Sequence, residues 1–247
     1  MPERWWQLYR KNVQKKNQKY FIMIYIIPTK RGLGVEIWGT YEDLTNFYDV
    51  IGKFWNDEAN STKKDFENRD KLISGFSYGI RKAKEGNRLK RNSSHFSFEQ
   101  QEYFGTQFSW VHILFSLTAL KYNMSFYETS KFDISQILAI EFWLEKSMNN
   151  FDEIGAKNLI GFIESGLFGG NKIIYQCMRT VDIDFLLLGG GKKAFRQLPY
   201  LLKIGVYSTE EYKQYESFLQ EEAKRLNCDI SELEINNDNI DYENIKW

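Results

Sequence analysis

The sequence predicts an α+β fold: a small N-terminal antiparallel sheet packed by helices and followed by a mostly helical C-terminal half. Three observations lead there. Two short runs rich in Ile, Val and aromatic residues flank a glycine-bearing turn near the N-terminus. Beyond residue 40, apolar residues recur mainly at three- and four-residue spacing, the period of a helix with one buried face. Of the 247 residues, 43% are hydrophobic and 17% aromatic, enough to fill a sizeable core.

The elements follow in order. Residues 1–19 read as a basic N-terminal extension: Arg4, Arg10, Lys11, Lys15, Lys16 and Lys19 stand against Glu3, and Trp5, Trp6, Leu8 and Tyr9 suit one side of a helix. Met23 is an alternative start. Tyr20–Ile27 is an apolar run that stops at Pro28, as a buried strand does. Val35-Glu36-Ile37-Trp38 alternates, so the hairpin spans 20–39. Thr40 with Asp43 forms a capping box for a helix whose apolar face is Leu44, Phe47, Tyr48, Ile51, Phe54 and Trp55. A second helix is expected over 63–85, with Gly86 as its stop. Strands within 88–104 complete the sheet, and 107–121, apolar nearly all round, reads as a central buried helix.

Helices then dominate. Asp133 with Gln136 reads as a capping box, 154–163 as a short helix, and 171–188 as a longer one stopped by Gly189-Gly190-Gly191. Pro199 is expected to kink or break the next helix. Ser208 with Glu211 is expected to cap the last, which runs through Leu226. The division is a single α+β domain over 20–227 and an acidic C-terminal tail over 228–247, where Leu233, Ile235, Ile240 and Trp247 are the residues able to dock.

Composition narrows function. Lys plus Arg number 33 and Asp plus Glu 33, so bulk charge does not drive nucleic-acid binding. The longest apolar run falls well short of the ~20 residues of a membrane-spanning helix. The residues after that run do not form a signal-peptide cleavage site, and a cytoplasmic location is expected. Cys177 and Cys228, two distant cysteines, form neither a disulfide framework nor a metal site. Cys177, among Ile174, Met178 and Val181, reads as a small core residue.

Four segments together resemble a known pattern: Gly34–Leu44 (GVEIWGTYEDL), Gly75–Ala83 (GFSYGIRKA), the apolar helix around Trp110–Leu120, and the helix over Tyr212–Asn227. The set is similar to an uncharacterised bacterial domain family of about this length, known as a domain of unknown function. The resemblance runs in order over roughly residues 20–230. It implies no activity and no catalytic residue. Gly79 departs from the pattern, where an acidic or polar residue is expected.

Candidate chemistry is sparse. Gly75-Phe76-Ser77-Tyr78-Gly79 matches the nucleophile-elbow pattern, which needs a buried strand before it. Charged, helical residues precede it instead, so the reading is two glycines that let another element approach a helix. Leu188-Gly189-Gly190-Gly191-Lys192 fits neither phosphate-binding glycine motif and reads as a helix stop. Arg81, Lys82, Lys84, Arg88, Lys90 and Arg91 form the strongest basic patch, with His95 and Phe96 nearby to contact phosphate or stack a base. His112 sits on an aromatic face with Phe108, Val111 and Phe115, and Glu141 falls on an apolar helix. A His112–Glu141 contact is the one acid/base pair to expect. Asp182 and Asp184 point apart on a helix and read as solvated. No metal site and no cofactor are expected.

Three function classes remain. The leading one is a non-enzymatic cytoplasmic interaction or accessory protein with a protein partner, in bacterial conflict or mobile-element systems. The alternatives are a nucleic-acid-associated protein using Arg81–Arg91 and an uncharacterised enzyme with a His112-centred site.

Overall fold

The structure, a computed structural model, describes residues 24–55, 64–93, 101–237 and 240–247. The basic extension, residues 20–23 of the expected hairpin, and His95 and Phe96 lie outside the described residues.

The hairpin forms where alternation places it. Strand β1 (Tyr25–Pro28) pairs antiparallel with β2 (Gly34–Gly39), with Ile26 opposite Ile37. Its turn needs glycine at 32, where φ is +69° and a Cβ would meet the Phe151 ring at 1.9 Å. Strands β3 (Leu89–Ser93) and β4 (Gln101–Ser109) give the order β1-β2-β4-β3, antiparallel throughout. Val35, Ile37 and Phe108 turn to the core.

Helix α1 (Tyr41–Gly52) starts at the expected box: the Asp43 N–H donates to Thr40 Oγ1 at 3.2 Å, and Asp43 Oδ2 accepts from the Thr40 N–H at 3.0 Å. Helix α2 (Lys64–Lys84) ends at Gly86, with φ +72°; Gly86 N donates to Ala83 O and Asn87 N to Lys82 O. Helix α3 (Trp110–Met124) starts later than its apolar pattern indicates, because pairing with β2 holds the chain extended as far as Ser109. It is the central helix: Trp110, Ile113, Leu114, Phe115 and Leu117 are all buried.

The cap of α4 (Lys131–Phe151) lies one turn earlier than expected. Ser130 is the N-cap, and Asp133 is the answering residue of its box rather than its start. Helix α5 (Glu153–Gly161) is capped by Asp152 and runs into a π-turn, Phe162–Gly166. Helix α6 (Ile174–Leu187) stops at three consecutive positive-φ glycines, 189–191. Helix α7 (Gly191–Leu201) continues past Pro199 instead of breaking there, and gives way to a 3-10 turn at Leu202–Gly205. Helix α8 (Glu210–Leu226) is capped by Thr209, which accepts from the Tyr212 N–H at 3.1 Å. Ser208 takes φ 72° and is not the cap.

One core cluster runs from the hairpin through α1, α2 and α3 to α6, α7 and α8. Cys177 is buried in it, and burial pushes its thiol pKa far up. The segment after α8 folds back onto this body. Leu233 is buried, and Ile235, Ile245 and Trp247 pack against the cluster. Lys71 Nζ donates to Ser231 O at 2.7 Å and Gln176 Nε2 to Ile230 O at 2.9 Å. Among the described residues no helix is long and apolar enough to cross a membrane.

Candidate functional site

The acid/base pair expected from the sequence does not form. Glu141 on α4 takes an ion pair from Lys121 at 2.5 Å, and the same ammonium donates to the carbonyls of Ile163 at 2.7 Å and Glu164 at 3.2 Å. Glu141 is thus part of a clamp holding the end of α3 to the turn after α5. His112 belongs to a different place.

That place is a cavity of ≈ 550 Å³ between β4, the second half of α2, the first turn of α3, α6 and residues 242–247. Its position follows from local sequence. Gly75 and Gly79 lie one turn apart on α2, and their missing side chains admit two rings. A Cβ at 75 would stand 3.5 Å from His112 Nε2, and one at 79 only 2.3 Å from the Phe108 ring. Gly79 therefore sets how closely α2 approaches the β4–α3 junction, as a close-approach reading of that motif requires, while Gly75 leaves room for an ordinary contact with His112.

Ser109, His112 and Asp182 all line the cavity. Ser109 caps α3 by accepting from the His112 N–H at 2.9 Å, and its hydroxyl donates to Asp182 Oδ1 on α6. Asp182 is only 6% exposed and lines the cavity, so its reading as a solvated carboxylate is corrected; Asp184 does face solvent. Burial pushes the Asp182 carboxyl up to about 6, against the Ser109 hydrogen bond and the Arg179 charge that favour ionisation. Burial, aided by the same Arg179 charge, pushes the His112 imidazole down to about 4. At pH 7 the wall therefore carries a neutral imidazole beside a mostly ionised carboxylate.

The sequence signal for Asp182 was present. Met178, Phe185 and Leu186 sit four, three and four residues away, so the acid interrupts an apolar stripe. The spacing between Asp182 and Asp184 says only that the two diverge, not which one is buried. Ser109 and Trp247 carried no such signal, because packing alone brings them to the cavity.

The family profile for DUF6904, described as a domain of unknown function, matches residues 24–247. The chain belongs to this family. No curated protein and no solved structure matches it. In this DUF6904 chain the matched residues include the segment after α8, which supplies Tyr242, Ile245 and Trp247 to the cavity.

The basic patch is spread over three elements and rests on the protein's own rings. Arg81 and Lys82 sit over Tyr78 at 5.2 and 5.7 Å and share Glu85 as ion-pair partner. Lys84 lies 4.3 Å from the Tyr48 ring and Lys90 5.7 Å from Phe104. Arg91 stands among Trp38 at 4.7 Å, Tyr25 at 4.8 Å and Tyr103 at 5.8 Å. Arg88 differs from the rest: exposed in the turn after α2, it lines the cavity. The glycine run at 189–191 makes a helix junction, and the Gly191 N–H is engaged by Arg31 O at 2.7 Å.

Proposed function

We propose that this DUF6904 chain is a non-enzymatic binding protein whose site is the cavity at the head of α3, and that it takes a small molecule with both polar and apolar parts. The observation that carries this is the cavity's composition: a volume of ≈ 550 Å³ whose wall sets rings and aliphatic chains, Tyr78, Phe108, Leu186 and Trp247 among them, alongside polar side chains that include Gln107, Ser109, His112 and Asp182. A volume of that order is what small-ligand sites have, and the mixed wall suits a ligand with both polar and apolar parts. Binding is favoured over catalysis because Ser109, the hydroxyl beside Asp182, is itself buried and its oxygen is committed to the α3 cap. Free Cys177 and Cys228 suit a reducing compartment, and the proposed setting is the bacterial cytoplasm.

The test is a fragment screen by protein-observed NMR on the full chain, with the His112 ring protons as site reporter. The chain has two histidines, so assignment by a His112→Gln control is direct. Fragments that bind and shift His112 support the reading. A mixed library from which none shifts it removes the cavity as a binding site.

A second reading has its own observation. On α4, Ile134, Leu138 and Phe142 follow at four-residue spacing and are 45%, 57% and 57% exposed. A contiguous apolar stripe of this kind suits a protein partner, which is the accessory role expected from the sequence. Affinity capture from the native cell with wild type and Leu138→Glu tests it: a partner held equally by both does not use this stripe.

A further inference from the structure

Resting on the cavity reading, we infer that the ligand is a small organic cation, an amine or amidine on an apolar body, whose charged end sits against Asp182. Three observations lead there. First, Asp182 is buried at the cavity wall with Ser109 as its hydrogen-bond donor, and among the described residues no cation lies within ion-pair distance of it. A carboxylate has room for about four hydrogen bonds, so acceptor sites remain toward the cavity. Second, other buried carboxylates of this chain are paired. Asp133 receives Lys53 at 2.7 Å, and Asp152 receives Arg196 at 2.7 Å. The fold ion-pairs the carboxylates it uses structurally, whereas among the described residues Asp182 feels the Arg179 charge only through space, with no ion pair. Third, the remaining walls include Tyr78, Phe108, Tyr242 and Trp247. Ring faces carry negative electrostatic potential and favour cations over anions.

The positive groups nearby do not reverse this. Arg88 is exposed at the cavity's edge, where water and salt screen it. Arg179 is directed to the Tyr242 hydroxyl, 3.4 Å away, with its charge 5.6 Å from that ring. Neutral His112 offers a hydrogen bond without a competing charge. Inside the cavity the dominant desolvated charge is therefore that of Asp182, and a cation is the ligand that compensates it. Tyr242 and Trp247 place the C-terminal segment against the apolar body of that ligand.

Three matched probes separate the possibilities: benzylamine, benzyl alcohol and benzoate, titrated at pH 7.5 into the full chain and followed by His112 shifts and calorimetry. Benzylamine is expected to bind about ten-fold or more tightly than benzyl alcohol, since its ammonium adds charge attraction to a hydrogen bond that the alcohol makes as a neutral donor. Asp182→Asn, which keeps the shape, is expected to erase that preference, while Asp184→Asn leaves it intact. Benzyl alcohol or benzoate binding at His112 as well as benzylamine overturns the cation assignment and leaves the cavity as a binding site. Preference surviving in a folded Asp182→Asn protein overturns it as well. Silence from all three probes also overturns it, and the wider fragment screen then shows whether the cavity reading falls with it.

Discussion

Asp152 and Asp182 are both buried carboxylates on this chain, and their surroundings treat them in opposite ways. Asp152 caps α5 by accepting from the Gly155 N–H at 2.9 Å and takes both arms of Arg196 at 2.7 Å. The Arg196 guanidinium, together with the cap, holds its pKa down to about 2. Asp182 has the Ser109 hydroxyl, and burial drives its pKa up to about 6. One acid is an element of architecture. The other is held ionised at pH 7 against its environment, which costs stability, and a site that costs stability points to function.

The largest expected effect comes from removing that cost. A shift from 3.8 to about 6 in a buried acid corresponds to about 3 kcal/mol at pH 7, at about 1.4 kcal/mol per unit. Asp182→Asn should therefore unfold at higher denaturant than wild type at pH 7, by up to that amount. The sign is set by linkage. The raised pKa of Asp182 gives stability that is present below 3.8 and lost as pH rises through about 6. His112 works the other way: its depressed pKa gives stability present above 6.5 and lost as pH falls toward 4. Between pH 4 and 6 the two slopes oppose each other in wild type. Asp182→Asn should uncover a protein whose stability rises with pH across that window, and His112→Gln one whose stability falls. Urea titrations at half-unit steps would show both slopes; parallel curves for the two variants would break the contrast between the acids.

The wall of the cavity allows a second contrast, within one helix. Gly79→Ala places a methyl 2.3 Å from the Phe108 ring, whereas Gly75→Ala places one 3.5 Å from His112. Overpacking of the first kind costs about 1–3 kcal/mol, against a helix-propensity gain of up to about 1 kcal/mol that both share. Gly79→Ala is expected to lower the midpoint of thermal unfolding and Gly75→Ala to leave it level or raise it. Equal behaviour would mean that Gly79 does not set the approach of α2 to β4.

How much of this was legible in the sequence depends on the distance between the residues involved. The β1–β2 hairpin, the Thr40–Asp43 box and the Gly86 stop are local devices, each readable within a few positions. The caps at 130 and 209 slipped because the neighbourhood offers more than one residue able to cap: Ser130 and Asp133 in one case, Ser208 and Thr209 in the other. Tertiary packing chooses between them. The glycines at 75 and 79 were readable as a close-approach surface, though not what approaches. The cavity itself joins β4, α3, α6 and the C-terminal segment, so His112 could be singled out while Asp182, the acid that lines the same cavity, was missed in favour of Glu141.

Asp152 should respond in the opposite sense to Asp182. Asp152→Ala removes an N-cap, which costs about 1–2 kcal/mol, and leaves Arg196 without its partner. Asp152→Asn, which retains a capping oxygen, should recover part of the loss. The depressed pKa adds a pH signature: wild type should hold its advantage over Asp152→Ala above 3.8 and lose it as pH falls through about 2. An Asp152→Ala protein as stable as wild type at pH 7 would remove the distinction between a structural acid and a costly one.

The smallest effect is the most discriminating for the site's boundary. Glu141 is partly exposed, and Lys121 keeps its two backbone carbonyl partners when the carboxylate is neutralised. Glu141→Gln should therefore cost well under about 1 kcal/mol, as partly solvated ion pairs do. It should leave the His112 titration and probe binding at the cavity unchanged, because the clamp on α4 and the cavity wall share neither a hydrogen bond nor a lining residue. If neutralising Glu141 moved the His112 pKa by even half a unit, the acid/base pair expected from the sequence would regain its standing, and the cavity would have to be redrawn to include the α4 clamp.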